Sequence, residues 1–217
     1  MRENWERGTE VLPLSPEEAS LLLQPILPGR RVTQVVPTEG GKANTNLRVE
    51  LADSKRLLLR LFVRDPESGA KEAALLRRLA GRVPVPALRH FADDNPVSGH
   101  PYEVLEWIEG PRLKEALAVA GPGEPAALAR EAGRVLAALG RETFPQAGFL
   151  APDLTISVSY EPGSAGFLRF VEEMSTAPSA AARLDPRSAP ALAGVLPRRG
   201  HLARRPRSTG PLGALRL

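Results

Sequence analysis

The stretch Thr38-Glu39-Gly40-Gly41-Lys42-Ala43-Asn44-Thr45-Asn46 and the apolar run that follows it, Leu57-Leu58-Leu59-Arg60-Leu61-Phe62-Val63, decide how this chain is read. A double-glycine turn leads into a strand from Asn46 to Leu51. The polar break from Ala52 to Lys55 makes a hairpin, and Arg56 to Val63 form the next strand. A strand this apolar is expected to be covered on both faces, which takes Arg60 partly out of water at a cost unless a partner meets it. The helix predicted from Ser68 to Ala80 offers one. Glu72 lies three, four and seven positions before Leu75, Leu76 and Leu79, so the four share a helical face. Two arrangements fit the residues: Arg60 and Glu72 paired and hydrogen-bonded, or Glu72 solvated at the rim with Arg60 reaching outward.

Working outward, Ser15-Pro16-Glu17-Glu18 has the form of a capping box with proline at the first helical position. The helix it opens is predicted to run through Leu27, where Pro28-Gly29 stop it. Arg31 to Pro37 read as the strand entering the Gly40-Gly41 turn. Beyond the Glu72 helix, Val83-Pro84-Val85-Pro86 is an extended link. It leads to strands at Leu88 to Phe91 and Tyr102 to Ile108, and Gly110-Pro111 ends the second. Helical patterns follow at Leu113 to Val119, at the amphipathic set Leu128, Ala132, Val135, Leu136 and Leu139, and at Phe167 to Met174, with a short strand within Leu154 to Tyr160. His90 and His100 lack metal-ligand spacing and read as surface or loop residues. The expected fold is two-lobed α+β, with a strand-rich first half and a helical second half.

A chain of 217 residues can bury a substantial core. It has no Cys, which excludes disulfides and thiolate metal sites. Met1 to Arg7 lack the apolar core of a signal peptide, and no run approaches membrane-spanning length, so a cytoplasmic protein is expected. The net charge of +4 is unevenly placed: residues 175–217 contribute +7 and the body before them −3. Nucleic-acid binding would rest on that tail alone, where no aromatic residue separates the arginines, and is not expected. The tail lacks an apolar pattern and is expected to be poorly ordered.

Taken in order, Gly40 to Asn46, Leu59-Arg60-Leu61, the helix Lys71 to Leu79, Val83-Pro84-Val85-Pro86 and Pro101-Tyr102-Glu103-Val104-Leu105-Glu106-Trp107-Ile108-Glu109-Gly110 resemble the amino-terminal lobe of the aminoglycoside phosphotransferase and choline kinase family. These are small-molecule relatives of protein kinases. The resemblance covers residues 30–112 well and later residues loosely. It implies a protein-kinase-like fold, with an antiparallel five-stranded lobe and one packed helix in residues 1–106, a hinge at 107–112, and part of a helical lobe at 113–174. Gly40, Gly41 and Asn44 match the loop over the ATP phosphates. Arg60 matches the basic residue that holds them, and Glu72 the carboxylate that orients it, which favours the paired arrangement. Glu106, Trp107 and Ile108 match the hinge whose backbone meets the adenine edge.

The resemblance fails farther on. The family's His-Gly-Asp segment, the Asn five residues beyond that Asp and a further Asp position the substrate hydroxyl and hold Mg²⁺. This chain has no His-Gly-Asp and no Asn after Asn95, and past the hinge only Asp153 and Asp185. No catalytic or metal-binding residue is therefore assigned. The family implies ATP, Mg²⁺ and a small hydroxyl-bearing acceptor. The chain itself is expected to be inactive, a truncated or out-of-frame product with residues from about 180 onward foreign to the fold. The alternative is a non-catalytic nucleotide- or partner-binding module.

Overall fold

The computed structural model describes residues 10–38 and 43–176. Gly40 and Gly41 lie outside the described residues, as do residues 177–217 of the tail. Tertiary contacts divide the chain into two compact units: one of residues up to 143 together with 150–155, the other of residues 144–149 and those from 156 on.

In the first unit, α1 (Pro16–Leu23) opens with the predicted capping box. Glu18 N–H donates to Ser15 Oγ at 3.2 Å, and Ser15 N–H donates to Glu18 Oε2 at 2.7 Å. The helix stops at Leu23, four residues short of the sequence reading. Pro25 has no N–H to donate and its ring crowds the carbonyl of Leu21, so Gln24 to Leu27 become turns.

Five strands follow: β1 (Val32–Pro37), β2 (Thr45–Leu51), β3 (Arg56–Leu61), β4 (Leu88–Ala92) and β5 (Tyr102–Glu106). They form one antiparallel sheet in the order β1-β2-β3-β5-β4. The β2–β3 hairpin closes through Leu51 N–H to Lys55 O at 2.9 Å, with Ser54 in the left-handed region at φ 64°. β5 ends at Glu106, opposite Leu57, rather than at Ile108.

The sheet's two faces differ. Thr45, Leu47, Val49 and Leu51 are buried and alternate with the half-buried Asn46, Arg48 and Glu50. Leu47, Val49, Leu59, Leu61, Tyr102 and Val104 pack against Ala19, Leu22 and Leu23 of α1 to form the core. Each wholly buried leucine contributes about 1.5–3 kcal/mol relative to exposure. Two hydrogen bonds lock this layer: Tyr102 Oη donates to Leu22 O at 3.0 Å, and Leu12 N–H donates to Thr45 Oγ1 at 3.0 Å. On β3, Leu59 and Leu61 are buried, while Leu58 and Arg60 on the other face are half-buried, so Arg60 is partly out of water.

α2 (Ser68–Leu79) lies over the other face through small residues. Gly69 and Ala73 are its buried positions, whereas Leu75, Leu76 and Leu79, the expected core stripe, are half-buried. A Cβ at Gly69 would stand 3.0 Å from ring atoms of both Phe62 and Phe91, so the absence of a side chain sets how closely the helix approaches. The far end of α2 is held by Glu142, whose carboxylate meets Arg78 Nε at 3.0 Å and Arg82 Nη1 at 2.9 Å. His90, read from sequence as a surface or loop residue, lies half-buried on β4: its ring centroid is 5.3 Å from that of Tyr102, the rings tilted by 52°, and burial lowers its pKa. α3 (Leu113–Val119) and α4 (Glu124–Leu139) complete the unit and bury no residue among those described.

The second unit contains most of a small hairpin, β6 (Gly148–Leu150) with β7 (Ile156–Ser159), and α5 (Ser164–Thr176). Phe149, Tyr160 and Phe170 cluster with ring centroids 5.4–6.1 Å apart. β6 was not expected from sequence, and α5 begins three residues before its apolar pattern.

Candidate functional site

Strand register decides which side chains meet. Asn46 on β2 pairs with Arg60 on β3, and Arg60 pairs with Glu103 on β5, so one row crosses three strands on the face opposite α1. Glu72 reaches the same point from α2. Arg60 Nε donates to Asn46 Oδ1 at 2.8 Å, and Arg60 Nη1 donates to Glu72 Oε1. Arg60 Nη1 also lies 3.2 Å from Glu103 Oε1. The guanidinium side chain keeps 21% of its surface exposed and that of Glu72 34%. The cluster is thus anchored in the sheet but open at its rim. Of the two arrangements the sequence left, the paired one is found.

Glu103 has no exposed surface. Neither of its oxygens receives a hydrogen bond among the described residues, because Arg60 aims its N–H groups at Asn46 and Glu72. Burial first, then the charge of Glu72, raises the Glu103 pKa to about 8, against the opposing pull of Arg60. The family resemblance assigns neither Glu103 nor Asn46 a part in the site. The alternation of Asn46, Arg48 and Glu50 with Leu47, Val49 and Leu51 carries the signal for the exposed face. Which residues oppose one another depends on register, which the alternation does not supply.

The next row holds Arg48, Leu58 and Leu105. The Arg48 guanidinium stands 5.9 Å over the Trp107 ring. Trp107 lines a cleft of about 330 Å³ with Val36, Pro37, Thr38, Arg48 and Gly110 among its walls. Glu109 beside it has its carboxyl held below the usual range by Arg56 and then by Trp107. Glu106 N–H donates to Ala87 O at 2.9 Å and so serves the sheet. Ile108 is 59% exposed, and its backbone makes no hydrogen bond among the described residues. Asn44 sits in the bend just before β2.

A larger cleft of about 530 Å³ opens on the α1 face, lined by Leu51, Leu57, Arg30, Arg56 and Arg89 among others. It contains neither Arg60 nor Glu72. Arg30 there is engaged by Asp53 at 2.8 Å and Arg56 by Glu109 at 2.9 Å. The charge row, not the larger volume, marks the chemistry. No group of three or more His, Asp or Glu side chains that could hold a metal ion occurs among the described residues. No described helix is long and apolar enough to cross a membrane.

Known structures share this architecture. One is a thermostable mutant of aminoglycoside phosphotransferase APH(4)-Ia in ternary complex with AMP-PNP and hygromycin B. It aligns with a TM-score of 0.62 at 13% identity, over 88% of this chain and 61% of that one. The GDP complex of an aminoglycoside 2'-phosphotransferase-IIIa mutant aligns with a TM-score of 0.55 at 16% identity, over 85% and 58%. The streptomycin–ATP complex of APH(2")-IIa gives 0.52 at 13%, over 86% and 58%. The chain therefore spans about 60% of the length of these structures. No curated protein sequence matches it. A sequence profile described as the phosphotransferase enzyme family matches residues 34–211, extending through much of the arginine-rich tail. With its protein-kinase-like sheet and helix, the chain belongs to the phosphotransferase enzyme family.

Proposed function

We propose that this chain carries the nucleotide-binding part of an ATP-dependent phosphotransferase that passes the γ-phosphate to a hydroxyl of a small molecule. The supporting observation is the row Asn46–Arg60–Glu72, a cation fixed on two sides by the sheet and α2 and open on a third. Such a cation takes phosphate oxygens with little reordering. On this reading Arg60 holds the α- and β-phosphates, Glu72 and Asn46 orient it, and the backbone of Gly40, Gly41 and Asn44 covers the phosphates. Residues 107–112 are the hinge, with Trp107 and Ile108 beside adenine. Glu106 contributes its carbonyl rather than its N–H, which the sheet already uses.

The neighbours' complexes contain AMP-PNP, ATP or GDP and, in two of them, hygromycin B or streptomycin. For this chain the acceptor class stays at a small molecule with a free hydroxyl. The 217 residues contain no His-Gly-Asp segment and no Asn beyond Asn95. We expect them by themselves to bind nucleotide without transferring phosphate, since electrostatic stabilisation of the transferred group is most of the catalysis. The test is thermal denaturation with ADP or ATP, alongside a phosphate-release assay. Stabilisation without turnover supports the reading. Robust turnover overturns the expected inactivity, and no stabilisation overturns nucleotide binding.

A non-catalytic role in partner binding is favoured by one feature. Leu113, Leu117, Leu136 and Leu139 of α3 and α4 are 44–68% exposed, an apolar surface suited to association.

A further inference from the structure

Among the groups that the nucleotide reading leaves unused, Glu103 is the one whose burial demands an explanation. A carboxyl with no exposed surface and no donor on either oxygen is costly if ionised. It stands opposite Phe91 of β4 and Arg60 of β3 in the sheet register, with Glu72 above it from α2 and Asn46 beyond Arg60 on β2. Arg60 and Glu72 are the charged groups acting on it among the described residues, since Asn46 and Phe91 carry no charge. One cation thus faces two carboxyls. With both ionised the cluster is net negative at the place an anionic ligand would approach. With a proton on Glu103 the pair can share a hydrogen bond, Glu103 donating to Glu72. The cluster is then neutral, and Arg60 can turn its remaining N–H groups outward.

We propose that Glu103 is a positioning residue for the Arg60 anchor: its neutral carboxyl braces Glu72 and leaves the guanidinium charge to polyphosphate, whereas its carboxylate draws that charge back into the sheet. This rests on the nucleotide reading above and adds to it a residue outside the family's loop, cation and helix-carboxylate set. Burial and the Glu72 charge place the changeover near pH 8, and Glu103→Gln, which cannot ionise, is the control for titration of the ADP phosphate itself.

The experiment compares wild type with Glu103→Gln, an amide of the same shape that can donate to Glu72 but cannot ionise, and with Glu103→Leu, which fills the space and does neither. ADP affinity is titrated at pH 7 and pH 9.5. In parallel, the wild-type minus Glu103→Gln infrared difference spectrum is recorded without nucleotide. The expected wild-type result is affinity about tenfold weaker at pH 9.5, corresponding to about 1.4 kcal/mol. Glu103→Gln should change less than about twofold, and Glu103→Leu should bind more weakly than Glu103→Gln at both pH values because Glu72 loses its brace. The difference spectrum should show a protonated carboxyl stretch at pH 7 that is gone at pH 9.5.

Equal pH dependence in wild type and Glu103→Gln overturns the proposal, and so does a missing protonated-carboxyl band at pH 7. If wild type binds no ADP at either pH, the nucleotide reading is the one that fails. The infrared band then still decides whether Glu103 is the neutral brace of Glu72.

Discussion

Arg60 and Asn46 face each other across β2 and β3, and the guanidinium Nε donates to the amide Oδ1 at 2.8 Å. This bond fixes the plane of the guanidinium, and Glu72 fixes its tilt. Asn46→Ala is expected to weaken ADP binding by about tenfold, the lower end of the value of a hydrogen bond to a charged group, because the site is partly open. Calorimetric titration checks this, and the melting temperature should change little.

Glu103 also makes stability depend on pH. Its folded pKa is raised above the unfolded value, so the native state binds a proton that the unfolded chain gives up. The stability this contributes is fully present below the unfolded value near 4.5 and is lost as pH rises toward about 8. Relative to wild type, Glu103→Gln should therefore gain stability as pH rises from 5 to 8. Denaturant titrations across that range measure it, and a constant difference would contradict it.

Gly69→Ala sets helix propensity against packing. Alanine is favoured over glycine by about 1 kcal/mol in a helix interior and by less at the second residue of α2, where Gly69 stands. The new methyl, however, meets Phe62 and Phe91 at 3.0 Å, and overpacking of this kind costs about 1–3 kcal/mol. A net loss of stability is expected, with weaker nucleotide binding as α2 lifts Glu72 away from Arg60. Gly133→Ala in α4 is the control: a Cβ there meets nothing within 4 Å, so a gain of about 0.5–1 kcal/mol should appear in thermal melts.

Glu142 takes Arg78 of α2 and Arg82 just beyond it, while its side chain is only 11% exposed. Glu142→Gln should cost about 1 kcal/mol or more, because the desolvated carboxylate is worth more than an exposed pair. A double-mutant cycle with Arg78→Met isolates the share owed to that contact.

Most of this fold could be read in the sequence wherever a local pattern decides the structure. The capping box at Ser15, the Gly-flanked helices and the alternation of Thr45 to Leu51 each specify an element through neighbours within a few residues. Pro25 was legible too, and the apolar letters Ile26-Leu27 masked it. One out-of-place charge in an apolar strand and one acid on a helical stripe make the Arg60–Glu72 contact one of two arrangements, and the family resemblance favours it. The part of Glu103 could not, because Tyr102-Glu103-Val104-Leu105 is buried on both faces and loses the alternation that would mark the inward carboxyl. Its meaning depends on register with β3, which is a long-range property. The approach of α2 likewise depends on Gly69, whose contribution is the side chain it lacks.

The central claim is that Arg60 is a phosphate anchor. Titration of MgADP into wild type, Arg60→Lys and Arg60→Met tests it most directly. The expected results are measurable binding by wild type, Arg60→Lys within about tenfold of it because a cation is kept, and Arg60→Met weaker by at least about a hundredfold. Binding by Arg60→Met as tight as wild type would contradict the account.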